Sequence, residues 1–261
     1  MVRSWFHQVD EEWLRSRSRY LTATEIVKLL PEYRRWKKKP CDFPEQFVGL
    51  WGEKKAIQLG AEIDPSSVGP AARGHIMEPY AIDEYNANML GPVPLVHVDD
   101  VLFWSEASKG WAIGYSPDAM DQTAWNSRVR SFNRPDQPAS DANVEVIGEV
   151  KSYDAGHHIR SCVIPDKIAP ERYQLAVAFA VWDGMEQGEL IFYNPSAPIH
   201  MDVKSYRRAD LAEEIEDVLG VYDLWVEVAE RLENVKDMAP SPTWEESVIW
   251  EANRPDQFGI G

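Results

Sequence analysis

Residues Val144 to Lys151 read VEVIGEVK, and this stretch decides the fold. Side chains alternate between the two faces of a β-strand, so Glu149 and Lys151 share one face with Ile147. The valines and the glycine share the other face. The pattern predicts a buried strand that carries a carboxylate and an ammonium group side by side where it ends. A surface salt bridge would have the same spacing, so the pair alone is a weak signal.

A second acidic residue lies upstream, in the sequence GYSPDAM at positions 114–120. Asp118 follows a predicted short strand, Trp111–Tyr115, and a Ser-Pro turn. Its separation from Glu149 is longer than a hairpin needs, and the polar segment 121–143 accounts for the excess. That segment is either an insertion without regular structure or a basic flap over a substrate.

A third acidic residue is predicted on a helix. Read as helical, positions 69–90 place Glu78 in a mostly apolar stripe. A carboxylate buried there must be protonated, paired or bound to a metal, because burying it alone and ionised is too unfavourable. Pro79 cannot donate its backbone hydrogen bond, so the helix bends or begins there. A surface glutamate beside a helix break is the alternative.

Composition and charge limit the class of protein. The chain of 261 residues carries a net charge of −16, but positions 1–60 hold 12 Lys and Arg against 8 Asp and Glu. The run Arg34–Lys39 is the densest basic stretch, and a solvated helix end is its simplest interpretation. Two isolated cysteines, no signal-peptide pattern and no apolar run of membrane-spanning length predict a reduced, intracellular protein.

The order of predicted elements is helices, strands, a helix, strands and a final helix. It predicts an α/β fold with a mixed central sheet flanked by helices, in one domain over 1–261. A capping box of Thr22 and Glu25 predicts a helix over Glu25–Leu30 that Pro31 ends, and residues 152–167 are predicted to form a loop. Pro170 opens a helix with a buried apolar stretch, and a long amphipathic helix follows from Asp210. The tail after 240 is expected to be loosely ordered.

Three carboxylates, of Glu78, Asp118 and Glu149, form a hard oxygen-ligand set suited to Mg²⁺ or Mn²⁺. The backbone carbonyl of Val150 could add a fourth oxygen. The pattern therefore predicts a divalent-cation site.

Lys151 and Gln174 complete the predicted chemistry. From the same strand face as Glu149, the Lys151 ammonium could orient an attacking water or offset charge on a phosphate. Gln174, one turn into the helix that Pro170 opens, could hold Lys151 in place.

The chain resembles the phage λ exonuclease/YqaJ-type recombinase nucleases, a branch of the PD-(D/E)xK superfamily. The resemblance spans about 13–195 and follows the order of that family's motifs. The matching segments are Trp13 with Arg17, Leu21-Thr22-Ala23-Thr24-Glu25, Arg73-Gly74 with Met77-Glu78-Pro79, Ser116-Pro117-Asp118, Gly148-Glu149-Val150-Lys151, Tyr173-Gln174 and Tyr193-Asn194-Pro195.

The resemblance implies a restriction-endonuclease-like core and a metal-dependent 5′→3′ exonuclease acting on double-stranded DNA ends. Such an enzyme would leave 3′ overhangs on the DNA. A single-strand annealing protein would then use these overhangs in phage-type homologous recombination. The resemblance also implies a possible ring-like trimer. The residues expected to contact DNA or its 5′ phosphate are Arg17, Thr24, Arg34, Arg35, Lys37 and Arg73.

Some positions depart from the family pattern. Ala119 replaces a glycine, Thr24 replaces a serine, and Ala176 stands where a second glutamine is usual. None of these changes removes a predicted metal ligand. A structure- or sequence-specific endonuclease on the same fold, and a catalytically silent DNA-binding module, stay open as alternatives.

Overall fold

The structure is a computed structural model that describes residues 3–5, 18–60, 69–88, 90–98, 101–105, 108–123, 145–164 and 168–238. Within these ranges, the side chains of 3–5, 69–75, 101–104 and 235–238 fall outside the description. Arg17, most of the predicted insertion and the tail after 240 also lie outside the described residues. The prediction of a single domain stays a prediction.

The helices are α1 (Ala23–Lys38), α2 (Glu45–Gln58), α3 (Gly69–Ala87), α4 (Ala155–Val163), α5 (Ala169–Val181) and α6 (Ala212–Met238). The strands are β1 (Arg3–Trp5), β2 (Tyr20–Thr22), β3 (Leu95–His97), β4 (Val101–Trp104), β5 (Ala112–Tyr115), β6 (Ala119–Asp121), β7 (Val146–Lys151), β8 (Gln187–Tyr193) and β9 (Met201–Arg207). A 3₁₀ turn, Arg208–Leu211, leads into α6. None of the described helices combines the length and apolarity needed to cross a membrane.

The described strands form two sheets. One has the order β1-β4-β5-β2, and the other has the order β3-β6-β7-β8-β9. In the second sheet β7 and β8 are parallel, while the remaining pairs are antiparallel. The predicted α/β fold with a mixed central sheet and flanking helices is therefore confirmed. The chain passes from one sheet to the other between β5 and β6, and this crossing contains Asp118.

The central strand β7 packs on both of its faces, as its alternation predicts. Val146 and Val150 belong to a buried cluster with Ile82 and Tyr85 of α3. Ile147 belongs to the larger cluster that α1, α5 and α6 build on the opposite face. Each face of the sheet is covered, so the strand end is enclosed by helices from both sides.

Helix α1 runs through Pro31, where the sequence predicts its end. The proline is exposed, while Ile26, Leu29 and Tyr33 on both sides of it are buried. Burial of this stripe outweighs the one backbone hydrogen bond that proline removes, because each buried large apolar side chain contributes about 1.5–3 kcal/mol.

The segment 152–167, predicted as a loop, contains helix α4. The Asp154 carboxylate caps this helix by accepting a hydrogen bond from the His157 backbone N–H at 3.0 Å. His158 is fully buried, and its Nε2 lies 2.7 Å from the Ile199 carbonyl oxygen. His157 stacks on Tyr153. The two adjacent histidines thus have separate structural contacts.

Helix α5 packs closely against β8 at Gly188, where there is no room for a side chain. A Cβ at this position would lie 2.6 Å from Leu175 Cδ1 and 2.8 Å from Leu175 Cγ, and Leu175 is fully buried. Gly188→Val is expected to destabilise the fold by about 2–3 kcal/mol, because the overpacked core must shift. Urea unfolding followed by circular dichroism measures the change.

Gly49→Ala is the matched control. Gly49 is an exposed helical glycine with no atom within 4 Å of an added Cβ. Gly49→Ala is expected to raise the free energy of unfolding by about 0.5–1 kcal/mol, because alanine is the better helix former. An unchanged unfolding midpoint in Gly188→Val would contradict the described packing of α5 on the sheet.

Candidate active site

Asp118, Glu149 and Lys151 meet where β5 turns into β6 beside the end of β7. The Val150 backbone N–H donates to Asp118 Oδ2 at 2.7 Å. Lys151 Nζ lies 2.5 Å from Glu149 Oε1. The Val150 backbone N–H thus fixes the Asp118 carboxylate beside the residue that separates Glu149 from Lys151 in the strand.

Tyr115 holds the second oxygen of Glu149. Its hydroxyl donates to Glu149 Oε2 at 2.6 Å, and both side chains are buried. Burial, with the charges of Glu149 and Asp118, raises the pKa of Tyr115 well above its ordinary value. The phenol is therefore protonated at neutral pH and acts as a hydrogen-bond donor.

Helix α3 brings Glu78 to this cluster. Glu78 is 5 % exposed, and its Oε2 lies 3.1 Å from His97 Nε2 of β3. The expectation that Glu78 is a buried carboxylate needing a partner is thus confirmed. Pro79 lies inside α3 and neither begins nor ends it.

The electrostatics of Asp118 show that the three acids interact. Burial raises the pKa of Asp118 well above its ordinary value, and the negative charges of Glu149 and Glu78 raise it further. The Lys151 ammonium and the hydrogen bond from the Val150 N–H lower the pKa of Asp118, but by less. Among the described side chains, the Lys151 ammonium is therefore the cation that acts on Asp118, against the carboxylates of Glu149 and Glu78.

Lys151 is held in its charged form. Burial lowers its pKa, but the carboxylates of Glu149, Asp118 and Glu171 raise it, and the net effect is a raised pKa. Its side chain is 16 % exposed. The ammonium therefore persists at neutral pH in a largely enclosed position.

These donors fit a divalent cation in chemical type. Carboxylate oxygens are the preferred ligands of Mg²⁺ and Mn²⁺, and a cation would offset the repulsion that raises the pKa of Asp118. In the described part of the chain, however, no three His, Cys, Asp or Glu side chains already surround one point closely enough to hold an ion. Oxygens of Glu78, Asp118 and Glu149 instead contact His97, the Val150 N–H, Tyr115 and Lys151.

Thr24 lies at the N-terminal end of α1. Strands β2 and β5 are parallel, with Thr22 opposite Gly114, so the residues that follow each strand leave the sheet at the same end. Asp118 follows β5 and Thr24 follows β2, which places both near that end. Thr24 is exposed. The side chain of Arg73, like Arg17, is outside the described residues.

The other predicted DNA-binding residues lie farther along α1. Arg34 and Lys37 contact the carboxylate of Asp217 on α6, at 3.1 and 3.7 Å. Arg34 also donates to the Tyr173 hydroxyl. At a helical rise of 1.5 Å per residue, Arg34 is roughly 15 Å from Thr24. Arg35 is exposed. The structure thus gives Arg34 and Lys37 an intramolecular partner.

Four residues of the cluster were not predicted from the sequence. They are His97, Tyr115, Tyr153 and Glu171. Tyr115 and Tyr153 lie three residues before Asp118 and two after Lys151, so closeness to the motifs is the signal that could have found them. His97 and Glu171 lie far from these motifs in the sequence, and only the fold brings them close.

Gln174 was predicted to hold Lys151. Among the described side chains, Gln174 has no hydrogen bond to Lys151, and it is half-buried on α5. Glu171, one turn earlier on the same helix, is the α5 residue whose charge acts on Lys151. The role of Gln174 stays a prediction.

The fold is similar to that of an alkaline exonuclease from Laribacter hongkongensis. That structure matches with a TM-score of 0.55 and 16 % sequence identity, over 88 % of this chain and 100 % of that one. The same enzyme in complex with dAMP matches with a TM-score of 0.55 and 17 % identity over the same shares. No family model matches the sequence, and a search of curated proteins finds no match. The chain therefore shares the nuclease's fold, a restriction-endonuclease-like α/β core.

Proposed function

We propose that the protein is a divalent-metal-dependent deoxyribonuclease that degrades double-stranded DNA from its ends. The convergence of Asp118, Glu149 and Lys151 with Glu78 is the observation that carries the proposal. A structural salt bridge needs two charged groups, whereas here Asp118 and Glu78 bring two further carboxylates to the Glu149–Lys151 pair, and their mutual repulsion raises the pKa of Asp118. The fold shared with an alkaline exonuclease supports the same assignment.

In this proposal Asp118, Glu149 and Glu78, with the Val150 carbonyl, hold Mg²⁺ or Mn²⁺. When bound, such an ion polarises the scissile phosphate and acidifies a water molecule. The Lys151 ammonium orients that water or offsets the charge that develops on the phosphate. Tyr115 fixes the Glu149 carboxylate by its hydrogen bond of 2.6 Å, which reduces the reorganisation needed in the transition state.

The proposed 5′→3′ polarity requires a group that binds the 5′ phosphate. The N-terminal end of α1 at Thr24 is suited to an anion, because helix N-termini carry partial positive charge. Glu25 would oppose an anion there, but its carboxylate is paired with Lys54 at 2.8 Å. We assign Thr24, Arg17 and Arg73 to this contact, and more distant backbone contacts to Arg34, Arg35 and Lys37.

The biological setting follows from the same proposal. An exonuclease of this polarity leaves 3′ overhangs, which a single-strand annealing protein would use in phage-type recombination. A ring-like homotrimer, an annealing partner and a cytoplasmic location in a bacterial or phage-infected cell all stay predictions.

Replacing Lys151 tests the catalytic assignment. Lys151→Ala is expected to lower the cleavage rate of a linear duplex with Mg²⁺ by a factor of about 10² or more, because the charge that stabilises the transition state is lost. Duplex binding, measured by fluorescence anisotropy without Mg²⁺, should change by less than about twofold. Lys151→Met is a second variant that keeps most of the buried side-chain volume.

Lys204→Ala is the matched control. Lys204 pairs with Asp202 at 2.7 Å on β9, so it also belongs to an acid-x-Lys pair of the same sheet, but at its edge strand. Lys204→Ala is expected to leave the cleavage rate of the linear duplex unchanged. Cleavage that survives in both Lys151 variants would remove Lys151 from the mechanism.

Substrate topology separates the exonuclease from the endonuclease alternative. Linear duplex and covalently closed circular DNA of the same sequence are incubated with Mg²⁺ and analysed on gels. Degradation of the linear form alone is expected, because the proposed enzyme needs a DNA end. Cleavage of the closed circle at a comparable rate would favour an endonuclease on the same fold. No cleavage of either, with DNA still bound, would favour a catalytically silent binding module.

A further inference from the structure

Glu171 is a buried carboxylate next to the proposed active site, and the proposed mechanism does not use it. It lies in the first turn of α5 and is 5 % exposed. Its Oε1 accepts a hydrogen bond from the Tyr153 hydroxyl. Its Oε2 is buried and has no hydrogen-bond partner among the described residues. Buried polar atoms without partners are rare in folded proteins, so this oxygen requires an explanation.

Tyr153 holds the Glu171 carboxylate in a fixed position. The tyrosine ring stacks on the His157 ring at a centroid distance of 4.0 Å and an angle of 5°. The Tyr153 carbonyl accepts from Asn194 Nδ2 at 2.8 Å. Burial and the hydrogen bond to Glu171 raise the pKa of Tyr153, so its hydroxyl stays a donor. Glu171 Oε2, which has no hydrogen-bond partner in the described part of the chain, therefore belongs to a carboxylate that is anchored through its other oxygen.

Lys151 lies near enough to Glu171 for the charge of this carboxylate to raise its pKa. Lys151 and Tyr153 are two residues apart at the end of β7, and Tyr153 carries the hydrogen bond to Glu171. Among the carboxylates whose charge favours the ammonium form of Lys151 are Glu149, Asp118 and Glu171. Lys151 contacts Glu149 Oε1 directly, and Asp118 Oδ2 accepts from the Val150 N–H. Glu171 Oε2 is thus a buried acceptor with capacity for a lysine donor.

We propose that Glu171 is a positioning residue that holds the Lys151 ammonium in place when the Glu149 carboxylate is engaged elsewhere. The inference rests on the proposed function, in which Glu149 binds a cation and can no longer be the main partner of Lys151. An ammonium group has three donors, so Lys151 can contact both carboxylates or pass from one to the other. In this proposal Glu171 holds Lys151 from α5, the helix that also carries Gln174.

The first test measures the coupling of the two side chains without metal and without substrate. Melting temperatures are determined for the wild type, Glu171→Gln, Lys151→Met and the double variant. Glu171→Gln is expected to raise the melting temperature by at least about 3 °C more in the Lys151→Met background than in the wild type. The reason is that a buried carboxylate without its counter-ion is destabilising. Equal shifts in both backgrounds would overturn the proposal.

Glu189→Gln is the matched control for this cycle. Glu189 is a fully buried glutamate of β8, and its two oxygens accept from Gln187 Nε2 and from Ser205 Oγ. Glu189→Gln should shift the melting temperature by the same amount in the wild type and in the Lys151→Met background.

The second test separates positioning from a structural role. Glutamine keeps the size of Glu171 and an acceptor for Tyr153, so a structural role would leave the kinetics unchanged. Glu171→Gln is expected to lower kcat on linear duplex by about tenfold with KM within about twofold, and Glu171→Asp should recover part of the loss. Unchanged kcat in Glu171→Gln would overturn the proposal. If the wild type cleaves no DNA, the proposed function fails, while the melting-temperature cycle still decides the Glu171–Lys151 coupling.

Discussion

The site depends on one electrostatic constraint: in the described part of the chain, the largely enclosed Lys151 ammonium lies among the carboxylates of Glu149, Asp118 and Glu171. Like charges in an enclosed environment repel each other strongly, and burial alone already disfavours ionised groups. The raised pKa of Asp118 expresses that cost. Folding tolerates it because Tyr115, His97 and the Val150 N–H each provide a hydrogen-bonding partner to one of the acids. A divalent cation is the ligand that would remove the remaining repulsion.

The fold brings these groups together from separate elements. Asp118 lies where the chain leaves one sheet for the other, Glu149 and Lys151 end the central strand, and Glu78 comes from a helix that covers one face. The opposite face carries α5 with Glu171. Close packing on both faces of β7 fixes the strand end, so the charged groups are held by backbone rather than by mobile loops.

The local patterns of the sequence were sufficient to predict the central strand, the helical position of Glu78 and the alternation that places Glu149 beside Lys151. These depend on residue spacing within one element. The continuation of α1 through Pro31 and the helix α4 were not predicted, because burial and capping outweighed local propensity there. His97 and Glu171 could not be predicted, since their contacts with Glu78 and Tyr153 join segments 18 or 19 positions apart.

The central claim is that Glu78, Asp118 and Glu149 bind a divalent cation beside Lys151. Crystals soaked in Mn²⁺ test it most directly, because anomalous scattering locates the ion without reference to activity. We expect a peak within about 2–2.5 Å of oxygens from Glu78, Asp118 and Glu149, with Lys151 close by and not bonded to the ion. Ordered side chains with no anomalous peak between them at millimolar Mn²⁺, or an ion bound only elsewhere, would contradict the claim.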